Sequence, residues 1–111
     1  MAQEMSRPAA AGRSQEEVRI YVWSVDGITW RERVVLYAFA LCYRPDRDSI
    51  PMSYRGACKV MPFMDKVDVR TWTVIVQALR KKGLLECVFK GNQWHPSEWH
   101  IKFLDTDDTQ A

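Results

Sequence analysis

Between residues 69 and 82, the apolar positions recur with the period of an α-helix. At about 100° per residue, the large apolar side chains gather on one side of this segment, and they are Trp72, Ile75, Val76 and Leu79. Asp68 stands at the N-cap position, and Gly83 follows three basic residues at the other end. The pattern therefore predicts an amphipathic helix with both ends marked.

A second helix is predicted over residues 30–43, because Thr29 and Glu32 match a capping box and Pro45 follows its end. Its apolar residues surround the helix, with Trp30, Val34, Tyr37 and Leu41 on one side and Val35, Phe39 and Cys42 on the other. We expect such a helix to lie at the centre of the domain or to offer its second face to another chain.

Shorter elements complete the pattern. Alternating apolar residues predict a short strand at 18–23, and 50–52 is a candidate edge strand because it contains Pro51. A helix at 54–61 begins after Ser53 and is ended or kinked by Pro62.

After the helix at 69–82, alternation at 85–89 and 99–103 predicts two antiparallel strands joined by a loop at 91–97. The predicted order is strand, helix, short strand, helix, helix, strand, strand.

The length and composition of the chain indicate one globular domain. The chain has 111 residues, of which 47% are hydrophobic and 27% charged. We expect a disordered N-terminal arm at 1–17, a folded domain at 18–104 and an acidic disordered tail at 105–111. No run of about 18 apolar residues and no apolar leader is visible, which predicts a cytoplasmic protein without a membrane span. The three cysteines, Cys42, Cys58 and Cys87, fit reduced thiols.

Charge is distributed unevenly along the chain. The formal net charge is only +2, and three acids fall in the tail. The segment 66–82 holds five basic residues and one acid, Asp68. Local positive charge on one helix attracts phosphates more than the total charge does. A solvated basic face remains the plain alternative.

The side of the 69–82 helix opposite Trp72 carries the residue types that a helix in the major groove needs. Arg pairs with guanine, Gln pairs with adenine, and the methyl groups of Thr and Val contact thymine. The candidates for base contact are Arg70, Thr73, Val74 and Gln77. The candidates for phosphate contact are Arg80, Lys81 and Lys82, with Arg55 or Lys59 from the preceding helix. An ordinary amphipathic surface helix would show the same periodicity.

The segment 53–103 resembles the winged helix-turn-helix superfamily. The matching residues are Thr71, Trp72, Ile75, Val76, Leu79, Gly83 and Leu84. It looks most like the small domains of phage and plasmid replication initiators and prokaryotic regulators. The resemblance implies an α+β fold with three helices and a C-terminal two-stranded β-wing, preceded here by a short N-terminal strand. Two features depart from the family. The connection 62–67 is long and lacks Gly, and the wing tip has only Lys90 and His95 as basic groups.

We therefore expect sequence-specific binding of double-stranded DNA by a small transcription or replication regulator of a prokaryote or mobile element. A homodimer through Val35 and Phe39 is the expected assembly if the target is palindromic. The alternative is a winged-helix protein-interaction module, such as an assembly subunit or a phage-encoded inhibitor, that does not bind DNA.

Other chemistry has little support in the sequence. Cys87, His95 and His100 invite a zinc interpretation, but no Cys-x-x-Cys pair accompanies them, and we expect no metal. No catalytic motif stands out, so we expect neither enzymatic activity nor a cofactor. Among the tryptophans, Trp30, Trp72 and Trp99 fall on predicted core faces, whereas Trp23 and Trp94 are candidates for exposure.

Overall fold

Four α-helices and a three-stranded antiparallel sheet form residues 13–103, the part of the chain that the computed structural model describes. In chain order the elements are α1 (Gln15–Ser24), α2 (Trp30–Cys42), β1 (Ile50–Met52), α3 (Tyr54–Val60), a 3-10 helix (Pro62–Lys66), α4 (Val69–Lys81), β2 (Leu85–Phe89) and β3 (Ser97–Ile101). The α+β class agrees with the sequence prediction. The tail at 105–111 and most of the arm at 1–17 lie outside the described residues. No described helix is long and apolar enough to cross a membrane.

The strand predicted at 18–23 is wrong, because this segment belongs to α1. A capping box starts the helix, in which Ser14 Oγ accepts from the Glu17 amide and the Glu17 carboxylate accepts from the Ser14 amide. Val18 and Val22, four residues apart, are both buried, while Ile20 between them is 59% exposed. Val18 and Val22 therefore lie on the packed side of a helix. This helix begins at Gln15, within the arm that the sequence predicts to be disordered.

Both sides of α2 are covered by described elements, so the free surface predicted for this helix is absent. Val35 and Phe39 are 2% and 0% exposed, so they lie in the core, and the prediction of a homodimer through these two residues is wrong. The opposite side of α2 is half-buried and packs against α1. Trp30 departs in the other direction, since it is 65% exposed although the sequence places it in the core.

Strand β3 occupies the middle of the sheet, with the order β1-β3-β2. The predicted edge strand at 50–52 is confirmed and pairs with β3, Ile50 lying opposite Trp99. The predicted two-stranded hairpin is also present, with Leu85 opposite Ile101. An irregularity between Cys87 and Phe89 shifts the register, and Phe89 is consequently 47% exposed instead of facing the core.

Three aromatic rings join the helices to the sheet. The ring of Phe39 on α2 is stacked on Trp72 of α4 at 5.8 Å between centroids and meets Trp99 of β3 edge-on at 5.5 Å. All three side chains are buried, which confirms the core positions predicted for the two tryptophans. Such pairs add about 0.5–1.5 kcal/mol each beyond the area they bury.

The connection between α3 and α4 is longer than a simple turn, as the sequence predicts. It is the 3-10 helix, and Pro62 occupies its first position. The side chain of Met64 is fully buried and anchors the segment to the core. Tyr54 reaches over it from α3 and donates its hydroxyl hydrogen to the carbonyl oxygen of Val67.

A single ion pair links the start of α2 to the end of α4. Lys82 Nζ lies 2.7 Å from Glu32 Oε1 and also donates to the carbonyl oxygen of Gly27 at 3.0 Å. Burial acts to raise the pKa of Glu32, but hydrogen bonds from Lys82 and Thr29 outweigh it and keep this pKa below its ordinary value. Glu32 therefore stabilises the fold while it is ionised.

Replacing Glu32 by Gln tests this link. At neutral pH we expect a loss of about 1–2 kcal/mol in the free energy of unfolding, because the partly buried ammonium group of Lys82 loses its carboxylate partner. Since the folded-state pKa of Glu32 is depressed, its contribution is present above the unfolded pKa of about 4.3 and is lost as the pH falls through the folded value.

The measurement is urea unfolding from pH 7 down to pH 3, with the exposed Glu16→Gln as the control. The difference between wild type and Glu32→Gln should shrink over the acidic part of this range. A difference that stays constant with pH would contradict the assigned role.

Candidate nucleic-acid interface

The side of α4 opposite Trp72 is open to solvent. At about 100° per residue, Arg70, Val74, Gln77 and Lys81 fall within about 60° of one another, and all four are exposed. The apolar member of this set, Val74, is 63% exposed, a large fraction for a valine in the middle of a helix. Thr73 borders this face, and its hydroxyl donates to the carbonyl oxygen of Val69 at 2.9 Å. We call these five residues, Arg70, Thr73, Val74, Gln77 and Lys81, the outer face of α4.

The ends of α4 explain why this helix is well defined. The Asp68 carboxylate accepts a hydrogen bond of 2.8 Å from the Thr71 amide. This bond holds the pKa of Asp68 below its ordinary value, so the cap is ionised at neutral pH. Gly83 ends the helix with φ of 80°, a conformation that glycine adopts without strain. From residue 69 to residue 82 the chain has no acidic residue, so the outer face carries only positive charge.

Two of the predicted phosphate contacts, Arg80 and Lys82, point away from the outer face. The guanidinium carbon of Arg80 lies 5.9 Å from the centre of the Trp99 ring, so this side chain leans towards the sheet. Lys82 is directed towards α2 by its ion pair with Glu32. Only Lys81, of the three basic residues at the end of the helix, lies within the outer face.

The two predicted contacts outside α4 lie on α3. Arg55 and Lys59 are both exposed and stand four residues apart, which places them on one side of this short helix. Neither has an ion pair among the described residues. They add two exposed basic groups on α3 to those on α4.

The loop between β2 and β3 is held by its own hydrogen bonds. Asn92 Oδ1 accepts from the amides of Trp94 and His95 at 2.7 and 3.0 Å, and the Gly91 amide donates to Ser97 Oγ at 2.8 Å. The indole of Trp94 is 76% exposed at the tip. The loop therefore presents a large aromatic side chain on a constrained turn, with little positive charge around it.

The residues considered for a metal site are not brought together. His100 lies opposite Glu86 in the sheet, with its Nδ1 3.7 Å from the Glu86 carboxylate. Cys87 is on the neighbouring position and points to the other face, and His95 is in the exposed loop. Within residues 13–103 no three metal-binding side chains converge. The thiol of Cys42 is half-buried, and burial raises its pKa.

Sequence reasoning missed three exposed aromatic side chains, those of Trp30, Phe63 and Phe89. Trp30 lies at the start of α2, on the side that it shares with Val34, Tyr37 and Leu41. The helical spacing of these apolar residues predicts that Trp30 is buried. Phe63 lies in the 3-10 helix of the connection before α4. No signal along the chain distinguishes them from core residues, because exposure depends on which elements cover them.

No protein-family model matches this chain, and comparisons with curated proteins and with solved structures likewise find no match.

Replacing Gly91 by Ala tests whether the loop geometry is rigid. A Cβ atom there would lie 2.4 Å from the backbone atoms His95 O and Ser97 N, which is closer than any real contact. We expect a loss of about 1–3 kcal/mol in the free energy of unfolding, because the loop backbone must shift. Urea unfolding measures the loss, and Gln93→Ala, at an exposed position of the same loop, is the control. An unchanged midpoint for Gly91→Ala would mean that the loop adapts freely.

Proposed function

We propose that this chain binds double-stranded DNA with sequence specificity by placing the outer face of α4 in the major groove. The observation that carries the proposal is the composition of that exposed face, which combines two bases, an amide, a hydroxyl and an apolar side chain with no acid. A face of this kind contributes nothing to the core. Its hydrogen-bonding groups are the ones that distinguish base pairs in the major groove.

Dimensions support the proposal. At 1.5 Å per residue, the 13 residues of α4 extend about 20 Å, and the major groove, about 12 Å wide, admits a helix. Arg70, Thr73 and Val74 lie in the first half of the helix, the part that usually reaches base edges. Lys81, in the last turn, is positioned for phosphate contact.

The arrangement of elements around α4 supports a winged helix-turn-helix interpretation. Helix α2, strand β1, helices α3 and α4, and strands β2 and β3 follow one another in that order, and β1 pairs with β3. In this interpretation α3 precedes the recognition helix and the β2–β3 hairpin is the wing. Helix α1 is an addition to that arrangement. We propose a role as a small regulator of transcription or replication.

Selection of duplexes from a random pool tests the proposal. The wild-type chain should enrich one sequence family. A triple variant, Arg70→Ala with Gln77→Ala and Lys81→Ala, should enrich none, because it lacks the polar groups of the outer face. Arg44→Ala, Arg47→Ala and Lys102→Ala together form the control, since they remove three bases from exposed or half-exposed positions elsewhere.

On a selected duplex, Arg70→Ala alone should cost about 1–3 kcal/mol in binding free energy and relax specificity at one base pair. Titration of labelled DNA measures both effects. An equal loss on random DNA would make Arg70 a phosphate contact only. If the wild-type chain retains no duplex, the proposal fails.

The second candidate function is docking to a protein through the wing and α4, and the exposed Trp94 favours it. Exposed aromatic side chains are frequent anchors in protein interfaces. Salt dependence separates the two functions. DNA affinity should fall steeply between about 50 and 200 mM salt, and Lys81→Ala should reduce the slope by about 1. Hydrophobic docking should change little over this range.

A further inference from the structure

A groove of about 380 Å³ lies beside α4, away from its outer face. Its walls are the start of α2, the 3-10 helix with the residues that follow it, and the first half of α4. The apolar lining includes Trp30, Val34, Phe63, Val67 and Ile75, and the charged lining is Arg31, Lys66 and Asp68.

Two large aromatic side chains in the lining of this groove are left in water. Trp30 on α2 is 65% exposed, and Phe63 on the 3-10 helix is 53% exposed. The apolar surface continues beyond the groove, because Trp23 of α1 lies 5.6 Å from Trp30 between ring centroids and is 48% exposed. Contiguous exposed apolar surface of this kind marks interaction sites more often than isolated exposed residues do.

The charges at the groove favour an acidic partner. Arg31 and Lys66 have no ion pair within residues 13–103, and both are exposed. The one acid in the lining, Asp68, directs its carboxylate to the Thr71 amide at the positive end of α4, which offsets its charge. The lining therefore carries two cations without an ion pair in the described chain, against one carboxylate that caps α4, beside apolar side chains.

Neither residues 1–12 nor residues 104–111 suit the groove as an occupant. Residues 1–12 contain Arg7 and only one acid, so they do not complement a basic rim. Residues 104–111 are acidic, but their one large apolar residue, Leu104, directly follows Phe103, which stacks on Tyr21 of α1 outside the groove. A second copy docked groove to groove would bring together two sets of Arg31 and Lys66, and like charges in contact oppose association.

We propose that the groove binds a segment of another protein that combines large apolar side chains with acidic neighbours. The apolar side chains fill the space between Trp30 and Phe63, and the carboxylates pair with Arg31 and Lys66. This binding does not depend on the proposed DNA binding. The groove residues of α4, Thr71 and Ile75, point about 80° and about 120° away from Lys81 on the outer face, so the peptide and the duplex would contact different sides of the helix.

Selection from a displayed library of random 12-residue peptides tests this inference on the full chain. We expect enrichment of peptides with a net negative charge and at least two large apolar residues. The binding of one enriched peptide, measured by titration, should weaken about tenfold or more in Trp30→Ala, because truncating an interface anchor costs about 1.4 kcal/mol or more. Trp94→Ala, which removes an exposed tryptophan at the wing, should change the affinity less than about twofold.

Reversing the two charges of the groove is the more specific test of the proposed charge pairing. The double variant Arg31→Glu and Lys66→Glu should lose the acidic peptides and, in a repeated selection, enrich basic apolar ones. Circular dichroism melting should match wild type for each variant, since Trp30, Arg31 and Lys66 are exposed. The Arg70→Ala variant should bind the peptide as wild type does. A failure of the proposed DNA binding would therefore not affect the peptide result.

Three outcomes would overturn the inference. The first is an absence of any charge preference among the selected peptides. The second is equal binding by wild type and Trp30→Ala. The third is a homodimer in sedimentation that Trp30→Ala dissociates, which would make a second copy the occupant.

Discussion

The packing of Phe39 between Trp72 and Trp99 is the contact on which the rest of this structure depends. It joins α2, α4 and β3 through rings that lie 5.8 and 5.5 Å from the central one. Trp72 faces inwards, and no described element covers the opposite side of α4, which therefore faces solvent. The exposed polar face for which we propose DNA binding is thus linked to core packing. A loss of Phe39 would release both partners at once, leaving a cavity in the centre of the domain.

The basic residues at the end of α4 have different roles. Lys82 and Arg80 are adjacent to Lys81 in the last part of α4, yet Lys82 stabilises the fold through Glu32, and Arg80 leans over Trp99. Lys81 alone stays on the outer face. A basic run in a sequence therefore overstates the charge that is available to a ligand, because neighbouring residues on a helix point in directions about 100° apart.

The two surfaces proposed for binding differ in chemistry. The outer face of α4 is polar and basic with one exposed valine, which suits a hydrated, charged duplex. The groove beside it is apolar with two cations at its rim, which suits a peptide that brings its own carboxylates. Together they would place a partner protein next to a bound duplex, and each surface can be removed by substitutions that leave the other intact.

The pattern of residues was sufficient to predict α2, α4, the short edge strand and the hairpin, because their caps and periodicity are local properties. It also predicted which side of α4 holds Trp72. It misassigned residues 18–23, since Val18, Ile20 and Val22 satisfy both a strand alternation and an i, i+4 helical pair. The capping box of Ser14 and Glu17 is the local signal that favours the helix, and packing against α2 buries one side of it. Tertiary structure likewise decided that Val35 is buried and Trp30 exposed. Burial depends on which elements cover a residue, and the sequence of one helix does not contain that information.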